Sequence, residues 1–196
     1  MLLRSLARCQ VLNRKLLSTA IIGNCVVVGL SFALSGWNTE GAGSATRNTA
    51  RFAITFFLAG LAAPGLKRWM RWIPEPFALI QGFVAAQMIH FGCVVLLHTR
   101  FAPGRFHLSV DEAVVTILGF SLVVAVGATA VPHPEKRFYS FAHVFTLYVL
   151  FLILAADYGE HPVRVLRLML IPVLLAMLLR HLPRRSERSL TANAIR

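Results

Sequence analysis

No Asp, Glu or Lys lies well inside any long apolar stretch of this chain, so the ionisable side chains at depth are two histidines, His90 and His143. Placing an ionisable group in an apolar medium is costly, which marks each as a functional candidate facing the interior of a helix bundle. Neutral imidazole is a good ligand for iron, and haem iron is commonly held by an axial histidine. The competing reading is a structural histidine that hydrogen-bonds to a neighbouring helix.

The surroundings of each histidine keep both readings open. Gly82, Ala86 and His90 recur every four residues, stacking two small residues below the imidazole on one helix face. Such a groove admits a close neighbour, either a flat macrocycle or another helix. His143 shares a face with Tyr139, Ser140, Thr146 and Leu150, a mildly polar stripe suited to interhelical hydrogen bonds. Other chemistries are not signalled: there is no P-loop, dinucleotide fingerprint or H-E-x-x-H. His133-Pro-Glu135 lacks the P-C-x-x-C partner of a zinc deaminase and reads as a loop. Cys9, Cys25 and Cys93 form no C-x-x-C pair, and the last two sit in apolar runs where a thiol packs as a small hydrophobe.

The elements that must position these residues are membrane helices. The chain is 57% apolar and 14% charged, against about 25% charge in a typical soluble domain. Its apolar residues fall in runs that approach the roughly 20 residues of helix needed to cross a bilayer. The pattern predicts an all-α, polytopic bundle of six spans at about 16–36, 51–66, 77–99, 113–131, 138–156 and 163–180. A basic N-terminal segment (1–15) precedes them and a basic tail (183–196) follows. Residues 37–48, rich in Gly and Ser, read as a loop. Arg164 and Arg167 fall in the first turns of the sixth run, where their long stems reach the interface.

The net charge of +12 does not point to nucleic acid, because the basic residues gather at the ends of apolar runs and in the tail. Fourteen of the 20 Lys and Arg fall on the side of the two termini and the even-numbered loops, which predicts both termini in the cytoplasm. A bacterial inner (plasma) membrane is the expected location. The acid-free, Arg-bearing first 15 residues leave the mitochondrial inner membrane as the alternative.

Three stretches, in order, resemble a known family. Arg47-Asn-Thr-Ala-Arg51 opening an apolar helix is similar to an R-x-T-A-R motif. Ala86-Gln-Met-Ile-His90-Phe91 is similar to S-H-x-x-H-L. Phe141-Ala-His143 with Tyr148, then Asp157-Tyr158, is similar to an L-H-T-x-G-x-Y-Y helix and the S-Y after it. Together they resemble the bacterial ferric-reductase-like transmembrane proteins, relatives of the haem-binding membrane subunit of methionine sulfoxide reductase systems. The resemblance implies b-type haem held by His90 and His143 between the third and fifth helices. It also implies an electron-transfer role served by a separate donor and acceptor protein. His98 would reach the haem edge or a propionate, and Arg47 and Arg51 would pair with propionates or anchor the interface.

The chain departs from the family at Gln87, where the first histidine of the pair is expected. Gly104, Ala156 and Asp157 stand where a second haem would need ligands, so a two-haem relay is not expected. Depth is a further check. At 1.5 Å per residue, His90 stands roughly 20 Å above Phe77 and His143 roughly 8 Å above Phe138, an offset of about 12 Å between parallel helices. A haem-free structural or accessory membrane protein is therefore the alternative function. A small transporter is weaker, since midplane carboxylates and matching interrupted helices are absent from the sequence.

Overall fold

The computed structural model describes residues 2–70, 72–103, 110–130, 137–160 and 167–181. All regular structure among them is helical. The basic loop around His133, the start of the sixth predicted span with Arg164, and the tail at 183–196 lie outside the described residues.

Helix α1 is a single element, Leu2–Ser35, which joins the basic N-terminal segment to the first apolar run. Gly36 ends it with a φ of 81°, a left-handed conformation that favours glycine, and its N–H donates to the Phe32 carbonyl at 2.9 Å. Helix α2 then begins at once, as Thr39–Leu66. The expectation of a loop at 37–48 is corrected here. The Asn38 side chain caps the new helix by accepting from the Gly41 N–H at 2.9 Å. The small residues that resemble a loop by composition instead form a packing face, with Gly41, Ala42 and Ala45 buried. A Cβ on Gly41 would stand 2.0 Å from the Gly36 carbonyl oxygen.

Pro64 sits near the end of α2, and an ion pair between Lys67 and Glu75 spans the turn that follows. Pro76 opens α3, Pro76–Leu96, where a missing N–H is harmless. A π-helical turn, Leu97–Phe101, continues it. Thr39 donates its hydroxyl to the Phe101 carbonyl at 2.8 Å, tying that turn to the start of α2. The remaining helices are α4 (Val110–Thr129), α5 (Arg137–Glu160) and α6 (Leu170–Arg180).

Contacts fix their directions. Ala20 lies against Gly82 and Asn24 against Ala86, so α1 and α3 are parallel. Gly60 meets Ile80 while Thr46 meets His90, so α2 is antiparallel to α3. Gly127 meets Val84 and Phe120 packs on Phe91 with centroids 5.2 Å apart, so α4 is antiparallel to α3 too. The start of α5 lies at the end of α4, and the end of α6 lies at the end of α2. The six helices thus alternate in direction around a core of Phe57, Leu61, Ile80, Phe83, Val126 and Leu147.

Three helical stretches are long and apolar enough to cross a membrane: Arg14–Ser35, Thr39–Leu66 and Pro76–Phe101. Trp37 is exposed at one end of the bundle and Trp69 and Trp72 at the other, where interfacial aromatics belong. Helix α6 is 11 residues long in the described segment, and Arg167 precedes it.

A close backbone approach joins α2 to α6, where a Cβ on Gly65 would stand 1.6 Å from the Leu179 carbonyl oxygen. Nothing lies within 4 Å of a Cβ on Gly29. Gly65→Ala is expected to destabilise the detergent-solubilised protein by about 1–3 kcal/mol, as overpacking does. Gly29→Ala should leave its thermal unfolding midpoint unchanged.

Candidate functional site

His90 projects from α3 toward the N-terminal half of α2. Its Nδ1 lies 3.1 Å from the Thr46 carbonyl and 3.3 Å from the Thr49 hydroxyl. A carbonyl only accepts, so Nδ1 carries the proton and donates. The Thr49 hydroxyl is itself committed as a donor to the Ala45 carbonyl at 2.8 Å, which leaves its oxygen to accept from the imidazole. The result is one tautomer, with the lone pair on Nε2.

His143 repeats this arrangement at the end of the bundle where α3 begins. Its Nδ1 lies 3.2 Å from the Thr129 hydroxyl on α4, and that hydroxyl donates to the Ala125 carbonyl at 2.8 Å. Again the imidazole donates from Nδ1. The ring is 7% exposed and packs on Phe77 with centroids 5.1 Å apart. The next polar residue along the helix, Thr146, turns its hydroxyl back to the Ala142 carbonyl.

These contacts determine how far apart the two histidines are. His143 stands level with Phe77, whereas His90 is 13 residues further along α3, about 20 Å of helix rise. The offset is larger than the 12 Å expected because α5 starts about 9 Å below the level of Phe77 at the start of α3, which brings His143 rather than Phe138 to that level. A metal–imidazole bond is about 2 Å long, so two imidazoles on one iron stand about 4 Å apart. The residues present therefore do not fit a haem shared by His90 and His143.

The small-residue groove below His90 is also filled. A Cβ on Gly82 would meet the Phe56 ring at 2.7 Å and the Ala20 Cβ at 3.5 Å. Ala86 is fully buried, and its carbonyl accepts from Asn24 Nδ2 at 2.8 Å. The close neighbours that the spacing admits are helices α1 and α2. Gln87 is half-buried one turn before His90.

The peripheral candidates lie elsewhere. His98 is half-buried in the π-helical turn, two turns beyond His90. Arg47 and Arg51 are exposed, each two residues from Thr49 on α2. That is about 200° around the helix from the face that meets His90. Among the described residues no three His, Cys, Asp or Glu side chains converge on a metal position. Cys93 is a buried free thiol and Cys25 an exposed one.

The polar partners were not visible from a search for ionisable groups. Asn24, 0% exposed in the middle of α1, joins that helix to α3, and its signal in the sequence is a lone amide in an apolar run. Thr49 and Thr129 read as ordinary helix residues until their neighbours are known. No protein-family model, curated protein or solved structure matches the chain.

The Thr129–His143 pair yields a prediction. Thr129→Val leaves the buried Nδ1–H unpaired and should destabilise the protein by about 1–3 kcal/mol. Combining it with His143→Phe removes both polar partners. In denaturant unfolding of the solubilised protein, the double variant is expected to be more stable than the sum of the single variants implies.

Proposed function

We propose that this chain is a six-span membrane protein of the bacterial inner membrane that acts as a haem-free structural or accessory subunit. The observation that carries this reading is the separation of the histidines. They stand about 20 Å apart along α3, each turned into a threonine partner on a neighbouring helix. Further support comes from the filling of the Gly82 groove by Phe56 and Ala20. In this reading the imidazoles are interhelical fasteners.

A second reading keeps the expected electron-transfer role, with one b-type haem on a single histidine and a separate donor and acceptor protein. One observation favours it: hydrogen bonding at Nδ1 leaves Nε2 unprotonated in both rings, the form that ligates iron.

Absorption spectroscopy separates the two. Protein expressed with ample haem and solubilised in detergent is expected to show no Soret band. A Soret band that disappears in His90→Ala or His143→Ala would overturn the haem-free reading.

Charge supports both termini lying in the cytoplasm. Among the described residues, Arg14, Lys15, Lys67, Arg68 and Arg180 lie toward the bundle end where α3 starts, against Arg47, Arg51, Arg100 and Arg167 toward the other. A fluorescent protein that matures only in the cytoplasm should be bright when fused to either terminus. It should be dark after Gly36. The reverse pattern would invert the topology.

A further inference from the structure

Arg51 is an exposed arginine attached deep within a helix long and apolar enough to cross a membrane. The Phe52 ring packs at Gly23 and Asn48 pairs with Ser31, so Arg51 stands between the levels of Gly23 and Ser31 on α1. Those levels are about 18 and 6 Å below Ser35, in a 22-residue stretch, Arg14–Ser35, whose whole rise is about 33 Å. On α2 itself, Arg51 is about 18 Å by helix rise from Thr39.

A guanidinium at that depth requires an anionic partner or a route to the surface. Among the described residues no carboxylate serves it, since the ion pair there, Lys67 with Glu75, lies at the turn after α2. Arg47, one turn nearer the start of α2, takes the route to the surface. Its Nη1 lies 3.5 Å from the Cβ position of Gly43, so its head is turned toward that helix end. Arg51 instead lines a groove of about 480 Å³ between α1 and α2. Val27, Leu30 and Leu34 recur along the α1 wall at the three- and four-residue spacing of a helix-packing stripe, and Leu30 and Leu34 are 55% and 85% exposed. Ser31, Ser44 and Asn48 form a low polar floor that lets a neighbouring backbone approach.

We infer that this groove seats a transmembrane helix of another protein, one that carries an Asp or Glu near its own midpoint and pairs it with Arg51. A carboxylate matches the guanidinium fork through two parallel hydrogen bonds. A helix that crosses the bilayer beside α1 and α2 brings that group to the depth of Arg51 while both of its ends stay at the membrane surfaces. Charge argues against a second copy as the occupant, because a twofold contact through this groove would set Arg51 against Arg51. The inference rests on α1 and α2 crossing the bilayer and on the reading of the chain as an accessory subunit, whose partner it describes.

Fluorescence energy transfer in phosphatidylcholine vesicles tests it, between the labelled full-length protein and a synthetic leucine–alanine transmembrane peptide with one Glu at its centre. The same peptide with Gln in that place is the control. Wild type is expected to bind the Glu peptide about fivefold more tightly than the Gln peptide, the equivalent of about 1 kcal/mol. Moving the Glu to the end of the peptide should abolish the preference, as should Arg51→Gln, while Arg51→Lys should keep part of it. Arg100→Gln, which removes the same charge at the same end of the bundle, should leave it intact. Equal binding of the Glu and Gln peptides by wild type, or a preference that survives Arg51→Gln, overturns the site. Energy transfer between two differently labelled copies of the protein that is lost in Arg51→Gln would overturn the choice of a foreign helix over a second copy. A thermal unfolding midpoint shared by all variants shows that they are folded. A Soret band in the same preparation would overturn the haem-free reading and leave the peptide result standing.

Discussion

Between helices in a bilayer there is no water to satisfy an amide, a hydroxyl or an imidazole, so polar side chains placed there take partners within the protein, hydroxyls on their own helix and longer groups on another. In this chain that constraint fixes the register of the bundle. Asn24 on α1 finds the Ala86 carbonyl on α3. His90 on α3 finds Thr46 and Thr49 on α2. His143 on α5 finds Thr129 on α4, and Gln81 on α3 donates to the Ala130 carbonyl just beyond α4 at 3.3 Å. Sliding any one helix by a turn would strand one of these groups in an apolar setting, which costs about 1–3 kcal/mol for each neutral group. Apolar packing alone tolerates such slips far better.

The same constraint sets the distance between the histidines. His90 belongs to a layer 7 to 10 residues into α2, near the middle of α3 taken with its π-helical continuation, and His143 to the layer where α4 ends and α3 begins. These layers lie about 20 Å apart along the bundle axis. Bringing the rings onto one iron would require α5 to slide by most of its length against α3 and α4. That movement would break the Thr129 contact and lift His143 away from Phe77. The two imidazoles thus stabilise separate halves of the same fold.

The helical class was legible from charge-free runs, because a bilayer imposes length and composition so directly. The start of α2 was not. Gly41, Gly43 and Ser44 have a loop composition, and only the approach of the Gly36 carbonyl shows why small residues are needed inside a helix there. The offset of the histidines was legible in direction but fell short in size. Rise per residue gives height along each helix, while the level at which α5 starts relative to α3 is a property of the turns between them. Asn24 is not legible in this way because a neutral amide carries no charge to flag it, although its burial is more complete than that of either histidine.

Helix α2 shows how one element serves two environments. Along one face, Ala45, Thr49 and Ala53 are buried, and Thr49 meets His90 on α3. Ser44, Asn48 and Arg51 lie on the side that meets α1, where they line a groove open to the surface. A rotation of about 100° per residue separates the two sets. The R-x-T-A-R spacing combines them, since it puts the threonine midway between two arginines and about 200° from each. A helix carrying that motif can present a hydroxyl to the bundle interior while both cations point outward. The pattern therefore follows from holding a polar residue in the core of a helix that must also meet the charged boundary of a membrane, and it requires no haem to explain it.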